Sequence, residues 1–564
     1  MIVPRRRRPS TLGRHERELR FRRRRRAHLS PWALLPAFAA LVVALLLVEN
    51  QPPSAAQQRL AVVARFEAAW VRGNYRAMYA EISPRARHHV SLSRFTQDYR
   101  RAASTAGMTA ISFAHAAMKG NRVMAAAHTT TRAFGTIRSR VVLPVSLARD
   151  DRGIDWSATD RFPGLRGGEQ LTVRLVAERG AILAGDGAQL SPTTSGNYPL
   201  GAAGELISGR LDESPDGVTS GVSGLERVYN RILTGTPGEQ LWFGKRLIAA
   251  TRPRPGEAVR TTIDPRLQKA ATVALGDRYG AIAVIRPDSG AVLALSGVAL
   301  SAAQPPGSTF KIITTTAAFQ SGIATPTSTF PVRTSTTIDG YTLHNSDGEA
   351  CGGTLINAFA VSCDSVFVPL GAQIGARRLV DTADAYGFDR TPRVAGELSS
   401  TIPSPASIGN SLAVGSSAIG QGRVLATPLE MASVAATIAD DGVRARPRLL
   451  ASLPVITQRV ASPAVAGDLR EVMLAVVSYG TGTAAAIPGI PIAGKTGTAE
   501  LANGPATSSD PNNTDAWFVA FPAIPDPPVA VAVMLVRDGF GGQTAAPLAR
   551  QILLAAMREA HRAT

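Results

Sequence analysis

Hydrophobic patterning divides the chain into stretches of different kinds. Pro31 to Val48 is an unbroken apolar run of eighteen residues. Residues 49–58 (ENQPPSAAQQ) are polar, contain Pro-Pro and read as a linker. From Leu60 to about Phe113 apolar residues such as Val63, Phe66, Ala69 and Trp70 recur every three or four positions, which predicts helices. Ala126 to Leu147 is rich in β-branched residues (Ile137, Val141, Val142, Val145) and predicts strands, closed by Asp150-Asp151-Arg152-Gly153. Pro144 would confine the last part to a sheet edge. Residues 166–255 are rich in Gly and turn residues, with a strand at Leu171 to Val176 and a helix-like Gly224 to Tyr229. Thr251 to Gly256 (TRPRPG) punctuates the next boundary. The final region opens with a strand (Ala258 to Ile263), a helix (Pro265 to Leu275) and two antiparallel strands, Ala281 to Arg286 and Ala291 to Ser296. It closes with strands at Ala516 to Phe521 and Val529 to Val536 and a helix at Pro547 to Arg558. Strands at both ends of a mostly helical middle predict one sheet assembled from distant segments.

At 564 residues the chain is too long for one core, and three or four domains are expected. The net charge of +19 suggests nucleic acid until its distribution is considered. Residues 1–30 hold twelve arginines against Glu16 and Glu18, so more than half of the excess sits in a short solvated arm. The apolar run follows it directly. As a helix the run would be about 27 Å long, close to the thickness of a bilayer core. Basic residues flank the cytoplasmic end of membrane helices, so the amino terminus is expected inside and residues 49–564 outside. A cleaved signal peptide is the competing reading, but the run is long and the site near Ser54-Ala55-Ala56 is poor. Cys351 and Cys363, the only cysteines, would then face an oxidising compartment. A disulfide and two free buried thiols both fit, and neither number nor spacing suggests a metal site.

Candidate chemistry enters through lysine. Of 61 Lys and Arg residues only Lys119, Lys245, Lys269, Lys311 and Lys495 are lysines. Arginine stays protonated in proteins, whereas a desolvated lysine can lose its proton. Ser308-x-x-Lys311 follows Pro305-Pro306-Gly307, a helix start, and residues three apart share a helix face. The amine is therefore placed to take the serine's proton. Half-neutralising a free lysine at pH 7 takes about 4.6 kcal/mol, which burial and a second cation can supply. Lys495-Thr496-Gly497-Thr498 reads as an edge strand. Its cation could hold a substrate carboxylate and depress the first lysine, and Gly497 would let a substrate backbone lie close. Ser362-Cys363-Asp364, within a helical stretch from Ala358 to Leu370, would offer both lysines a hydroxyl and a carboxylate.

In this order within one domain, the three patterns resemble the S-x-x-K, S-x-N and K-T-G motifs of penicillin-recognising active-serine enzymes. Thr262-Ile263-Asp264 with Leu267-Gln268, Gly420-Gln421-Gly422 before Thr427-Pro428-Leu429, Gly480-Thr481-Gly482 and Trp517-Phe518 also stand in that family's order. Arg179-Gly180 and Ser223-Gly224-Leu225-Glu226 resemble the pedestal of class B penicillin-binding proteins. The unit before it resembles the nuclear-transport-factor-like domain of the methicillin-resistance transpeptidase. The resemblance implies a multidomain α+β protein. It would comprise a basic tail (1–30), a transmembrane anchor (31–48), a linker (49–58), a nuclear-transport-factor-like domain (59–165), a β-rich pedestal (166–255) and a transpeptidase domain with an antiparallel sheet packed between helices (256–564).

By the same resemblance, Ser308 is the acyl-accepting nucleophile, Lys311 its base and Ser362 a proton relay. Lys495, Thr496, Gly497 and Thr498 bind substrate, and the N–H groups of Ser308 and Thr498 form the oxyanion hole. Asp364 stands where the family usually has Asn. Its carboxylate would favour a charged lysine and oppose activation. The implied reaction is D,D-transpeptidation of peptidoglycan stem peptides through an acyl-serine, with β-lactams as competing substrates and no metal or cofactor. A single-pass membrane location with an extracytoplasmic catalytic domain, and a membrane glycan polymerase as partner, follow as expectations. Nucleic acid does not.

Rival readings are weaker. Gly489 to Thr496 matches G-x-x-x-x-G-K-T, but Pro488 and Pro491 break its approach and Gly497 follows at once. A Ser-His-Asp hydrolase has only His344 available between residues 257 and 555. A β-lactamase or β-lactam sensor would use the same serine, and a catalytically silent scaffold would keep the architecture alone.

Overall fold

The computed structural model describes residues 53–192, 196–214, 217–501 and 513–563. The expected anchor at 31–48 lies outside them. Among the described residues no helix is long and apolar enough to cross a membrane. The chain forms two compact units, divided between Gly168 and Glu169.

The first unit packs helices on an antiparallel sheet. Helix α1 (Ala55–Val71) starts at a capping box between Ser54 and Gln57. Helix α2 (Leu92–Thr105) is N-capped by Ser91. Strands β1 (Met108–Lys119), β2 (Arg122–Thr131), β3 (Gly135–Ser146) and β4 (Gly153–Ile154) follow in spatial order β1-β2-β3-β4. Phe66, Trp70, Phe95 and Tyr99 meet Ile111, Val123, Ala127, Val141 and Leu143 in one core. The helical pattern predicted to run to Phe113 stops earlier. The α2 C-cap is followed by Gly107 at φ 60, and Met108 begins the sheet. At Pro144 the strand pairs with Arg122 on one side, and its carbonyl accepts the Asp155 N–H. The missing N–H there is tolerated because β4 spans only two residues.

The second unit begins with a three-stranded sheet of β5 (Leu171–Val176), β6 (Gly238–Phe243) and β7 (Arg246–Ala250), in order β7-β6-β5. Arg179 is held there by Glu226, Asn230 and Thr234 at 2.5–2.9 Å. The strand expected over Ala258 to Ile263 shrinks to Val259–Arg260, paired in parallel with Ile182–Leu183. Helix α3 (Pro265–Leu275) is N-capped by Asp264. The main sheet comprises β8 (Gly280–Ile285), β9 (Val292–Gly297), β10 (Ile492–Glu500), β11 (Thr514–Pro522) and β12 (Ala530–Leu535). Its order is β9-β8-β12-β11-β10, antiparallel throughout, so chain ends more than 200 residues apart meet in one sheet.

Both faces of this sheet are covered, which explains why its strands read as unbroken apolar runs. One face (Ala281, Ala283, Trp517, Val519, Met534) packs against a helical layer that includes Ile312, Phe359 and Phe367. The other (Ile282, Val284, Phe518, Val531, Val533) packs against α3 and the closing helix Ala545–Ala563. The edge strand β10 carries Lys495 to Thr498, as predicted.

Candidate active site

Ser308 lies in a short 3-10 turn, Gly307–Phe310, that runs straight into helix Lys311–Gln320. The turn is fixed on three sides. The Gly307 N–H donates to Gly420 O at 3.0 Å, the Thr309 hydroxyl donates to Pro306 O at 2.7 Å, and the fully buried Phe310 meets Phe388 edge-on. Gly307 sits at φ 52, and a Cβ there would lie 3.0 Å from Thr498 O. Glycine is thus required both by the left-handed backbone and by the approach to β10. Ser308 itself is half-buried.

Lys311 is completely buried and donates to Ser362 O at 2.7 Å, Asp364 Oδ1 at 2.6 Å and Ser362 Oγ at 3.3 Å. Three contacts match the three donors of an ammonium. Among the described residues none goes to Ser308, although the i, i+3 spacing places both groups at the start of one helical segment. Hydrogen bonds to a nucleophile are often long before substrate arrives.

Lys495, also fully buried, donates to Ser362 Oγ at 2.8 Å and Thr496 O at 3.2 Å. The Ser362 hydroxyl thus accepts from both lysines, one on each lone pair. Phe367 and Phe359 lie under the two amines, 5.1 and 5.3 Å from ring centre to nitrogen. Burial lowers the pKa of Lys311, with Asp364 opposing. Burial holds Lys495 well below its usual range, the Lys311 charge adds to this, and Asp364 again opposes. The expected second cation is present, and the Asp364 carboxylate pairs with Lys311.

Ser362-Cys363-Asp364 does not sit within a helix. Helix Leu355–Ala360 ends, Ser362 takes φ 62, and helix Asp364–Ile374 begins. A left-handed serine costs on the order of 1–3 kcal/mol and persists only where its surroundings over-determine it. Here the Lys311 amine holds its carbonyl, and the Cys351–Cys363 disulfide ties the next residue to strand Cys351–Thr354. Of the two cysteine readings, the disulfide is the one formed. Closing a loop of this size stabilises by about 3 kcal/mol in the chain-entropy model. Asn345 completes the hold. Cys363 provides no side-chain cap, so Asn345 Oδ1 accepts the Ser365 N–H at 2.8 Å, while its amide donates to Arg333 O and Glu349 O. Sequence reasoning missed Asn345. It lies eighteen residues from Cys363, in a turn whose composition signals only a turn.

On β10, Thr496 is buried and its hydroxyl pairs with that of Thr481 at 2.6 Å. Thr481 in turn donates its N–H to Ala360 O, linking the edge strand to the helix before Ser362. Thr498 is half-buried. The Leu501 N–H bonds to Asn513 O, which sets the phase of the ladder with β11. Alternation then turns the Thr498 N–H to the open edge, beside the Ser308 turn. The Ser308 N–H, at a helix start, lacks an intrahelical acceptor. Two donors for a developing oxyanion are therefore available. The Cβ position of Gly497 is occupied by the serine turn: Pro306 O lies 2.7 Å away and Thr309 Cγ2 3.0 Å. The glycine expected to admit a substrate backbone thus also seats the Ser308 turn. The nucleotide-loop alternative fails on local structure, because Lys495 lies inside a strand with its amine turned inward.

A family model described as the penicillin binding protein transpeptidase domain matches residues 280–554. The peptidoglycan D,D-transpeptidase PbpA of Mycolicibacterium smegmatis is 37% identical over 404 residues, 60% of this chain and 80% of that protein. Among solved structures, a D,D-transpeptidase domain of a peptidoglycan glycosyltransferase from Eggerthella lenta superposes with a TM-score of 0.58 at 30% identity, covering 68% of this chain and 99% of that one. The penicillin G acyl-enzyme complex of penicillin-binding protein A from M. tuberculosis gives 0.57 at 30% identity, over 68% of this chain and all of that one.

Proposed function

The chain belongs to the class B penicillin-binding proteins, the peptidoglycan D,D-transpeptidases, and from that membership we propose how its own residues divide the work. It is a serine-type D,D-transpeptidase that cross-links cell-wall stem peptides and is a target of penicillins. Ser308 Oγ attacks the carbonyl carbon of the D-Ala-D-Ala bond. Its proton passes to the neutral Lys311 amine, and the oxyanion rests on the N–H groups of Ser308 and Thr498. The C–N bond breaks as Ser362 Oγ hands a proton to the departing D-Ala nitrogen and takes one back from Lys311, which is left neutral again. An amine from a second stem then attacks the acyl-serine, gives up its proton by the reverse relay, and frees Ser308. Lys495 and Thr498 hold the terminal carboxylate, while Thr496 braces the strand through Thr481. The observation that carries this assignment is the Ser362 hydroxyl shared between two buried amines, at 3.3 and 2.8 Å.

The test is intact mass after benzylpenicillin, followed by peptide mapping. One penicillin per chain, attached at Ser308, is the expected result. An adduct on another residue would end the assignment. Rapid drug turnover without an adduct would indicate a β-lactamase.

Asp364 sets the resting state. Its carboxylate stabilises the charged form of Lys311, so removing the charge lowers the lysine's pKa further. Because the neutral amine is the base, Asp364→Asn is expected to shift the acid limb of the acylation profile to lower pH. Rates of acylation between about pH 5 and 9 would show it, and an unmoved limb would remove Lys311 as the titrating base.

We assign residues 59–165 to a nuclear-transport-factor-like domain, supported by helices packed on a four-stranded antiparallel sheet. Residues 166–255 form the pedestal and 256–564 the transpeptidase domain. Residues 31–48 anchor the chain with the arginine arm inside the cell, supported by the apolar run next to the basic tail. A membrane glycan polymerase is the partner this arrangement suits.

A further inference from the structure

We propose that Glu500 selects the donor substrate, favouring acyl groups that carry an ammonium beside the reacting carbonyl. The inference rests on the transpeptidase reading above and extends it to specificity.

Strand β10 is the edge of the main sheet, and its ladder phase turns the N–H groups of Thr498 and Glu500 away from β11. An extended peptide can add to such an edge. Its direction is fixed by charge and chemistry. The terminal carboxylate belongs at the Lys495 end, and the reacting carbonyl belongs at the Ser308 turn beside Thr498. The residues on the acyl side must then run toward Glu500, two positions further on, or about 6.6 Å along the strand.

Glu500 shares the Thr498 face of the strand and is exposed. Among the described residues its carboxylate has no hydrogen bond or ion pair. Arginine is abundant in this chain, yet none is paired here. Although the residue reaches solvent, its neighbours partly desolvate the carboxylate and raise its pKa, and the negative charge of Asp364 raises it further. A cation arriving with the substrate would offset both effects, and the residue preceding the D-Ala pair is the one brought alongside. A charged residue on an edge strand also discourages edge-to-edge pairing, and that role would be indifferent to substrate charge.

Three penicillins that differ only in the acyl side chain separate these roles: ampicillin (ammonium), benzylpenicillin (neutral) and carbenicillin (carboxylate). The measurement is the second-order rate of Ser308 acylation by intact mass, at two salt concentrations. The wild-type protein is expected to prefer ampicillin over carbenicillin. Glu500→Gln should shrink that ratio about fivefold, the reach of one solvent-exposed ion pair. Glu500→Lys should invert it, while the benzylpenicillin rate holds within twofold in both. Equal ratios in all three proteins would overturn the proposal. A uniform fall for all three drugs would do the same, assigning Glu500 a structural role. Failure of every penicillin to acylate the wild-type protein would instead remove the transpeptidase reading on which the proposal stands.

Discussion

Lys311→Arg is expected to lower the second-order rate of penicillin acylation by roughly a thousandfold while the protein remains folded. The substitution keeps the positive charge and removes the ability to lose a proton, because a guanidinium stays charged in proteins. A positioned general base contributes about 10²–10⁴ in rate, and the middle of that range sets the expectation. Lys311 is fully buried, and its amine holds the Ser362 carbonyl and the Asp364 carboxylate. Arginine can retain contacts to both, so Ser362 keeps its conformation. Lys311→Met removes the charge as well and leaves those acceptors without their amine, at a cost of about 1–3 kcal/mol. Thermal unfolding should therefore separate the two variants, with Met melting lower, while both acylate slowly. The pH profile adds a second check. The wild-type rate should climb with pH as the amine deprotonates, and the residual Arg rate should lack that limb. An Arg variant acylating within tenfold of the wild type would transfer the base role to Lys495.

The two lysine patterns were legible because strand alternation and helix spacing are local. Ser308 opens a helix after Pro305-Pro306-Gly307, and Lys495 lies on an edge strand, as their spacings predict. The middle of the site was not legible in the same way. Ser362 carries no glycine-like signal for a left-handed backbone, and its apolar flanks suggest one continuous helix. The break is imposed from afar by Lys311, by Cys351 through the disulfide, and by Asn345 capping the next helix. Patterning could not choose between a disulfide and two thiols either, since the choice depends on where strand Cys351–Thr354 lands. Met108 to Phe113 shows the other limit. Apolar residues three apart fit a helix, but alternate residues of that strand face the sheet's own core, and Gly107 at φ 60 decides the matter.

Gly497→Ala is expected to cut acylation by about a hundredfold with only a modest loss of stability. Sequence order suggests that this glycine makes room for substrate. In the fold, the space on its Cβ side is filled by the serine turn. A Cβ at 497 would stand 2.7 Å from Pro306 O, 3.0 Å from Thr309 Cγ2 and 3.0 Å from Trp517 Cβ. Trp517 is fully buried on β11 under the helical layer and cannot yield. The serine turn is the partner that can shift: the Gly307–Gly420 hydrogen bond and the edge-on contact of Phe310 with Phe388 hold it from behind, and Ser308 itself is only half-buried. An added methyl therefore pushes Ser308 away from the Thr498 N–H. Overpacking of this kind costs about 1–3 kcal/mol. Displacing a nucleophile by about 1 Å can cost on the order of 10²-fold in rate, so catalysis suffers more than folding. Gly467→Ala is the matching control. It lies within helix Pro463–Ser478, no atom stands within 4 Å of its Cβ position, and alanine favours the helix by about 1 kcal/mol. Gly497→Ala should melt slightly lower and acylate slowly, whereas Gly467→Ala should melt higher and acylate at the wild-type rate. If Gly497→Ala acylates at the wild-type rate, the serine turn is not positioned by β10, and the shared face of the site must be sought in the Ser362 loop alone.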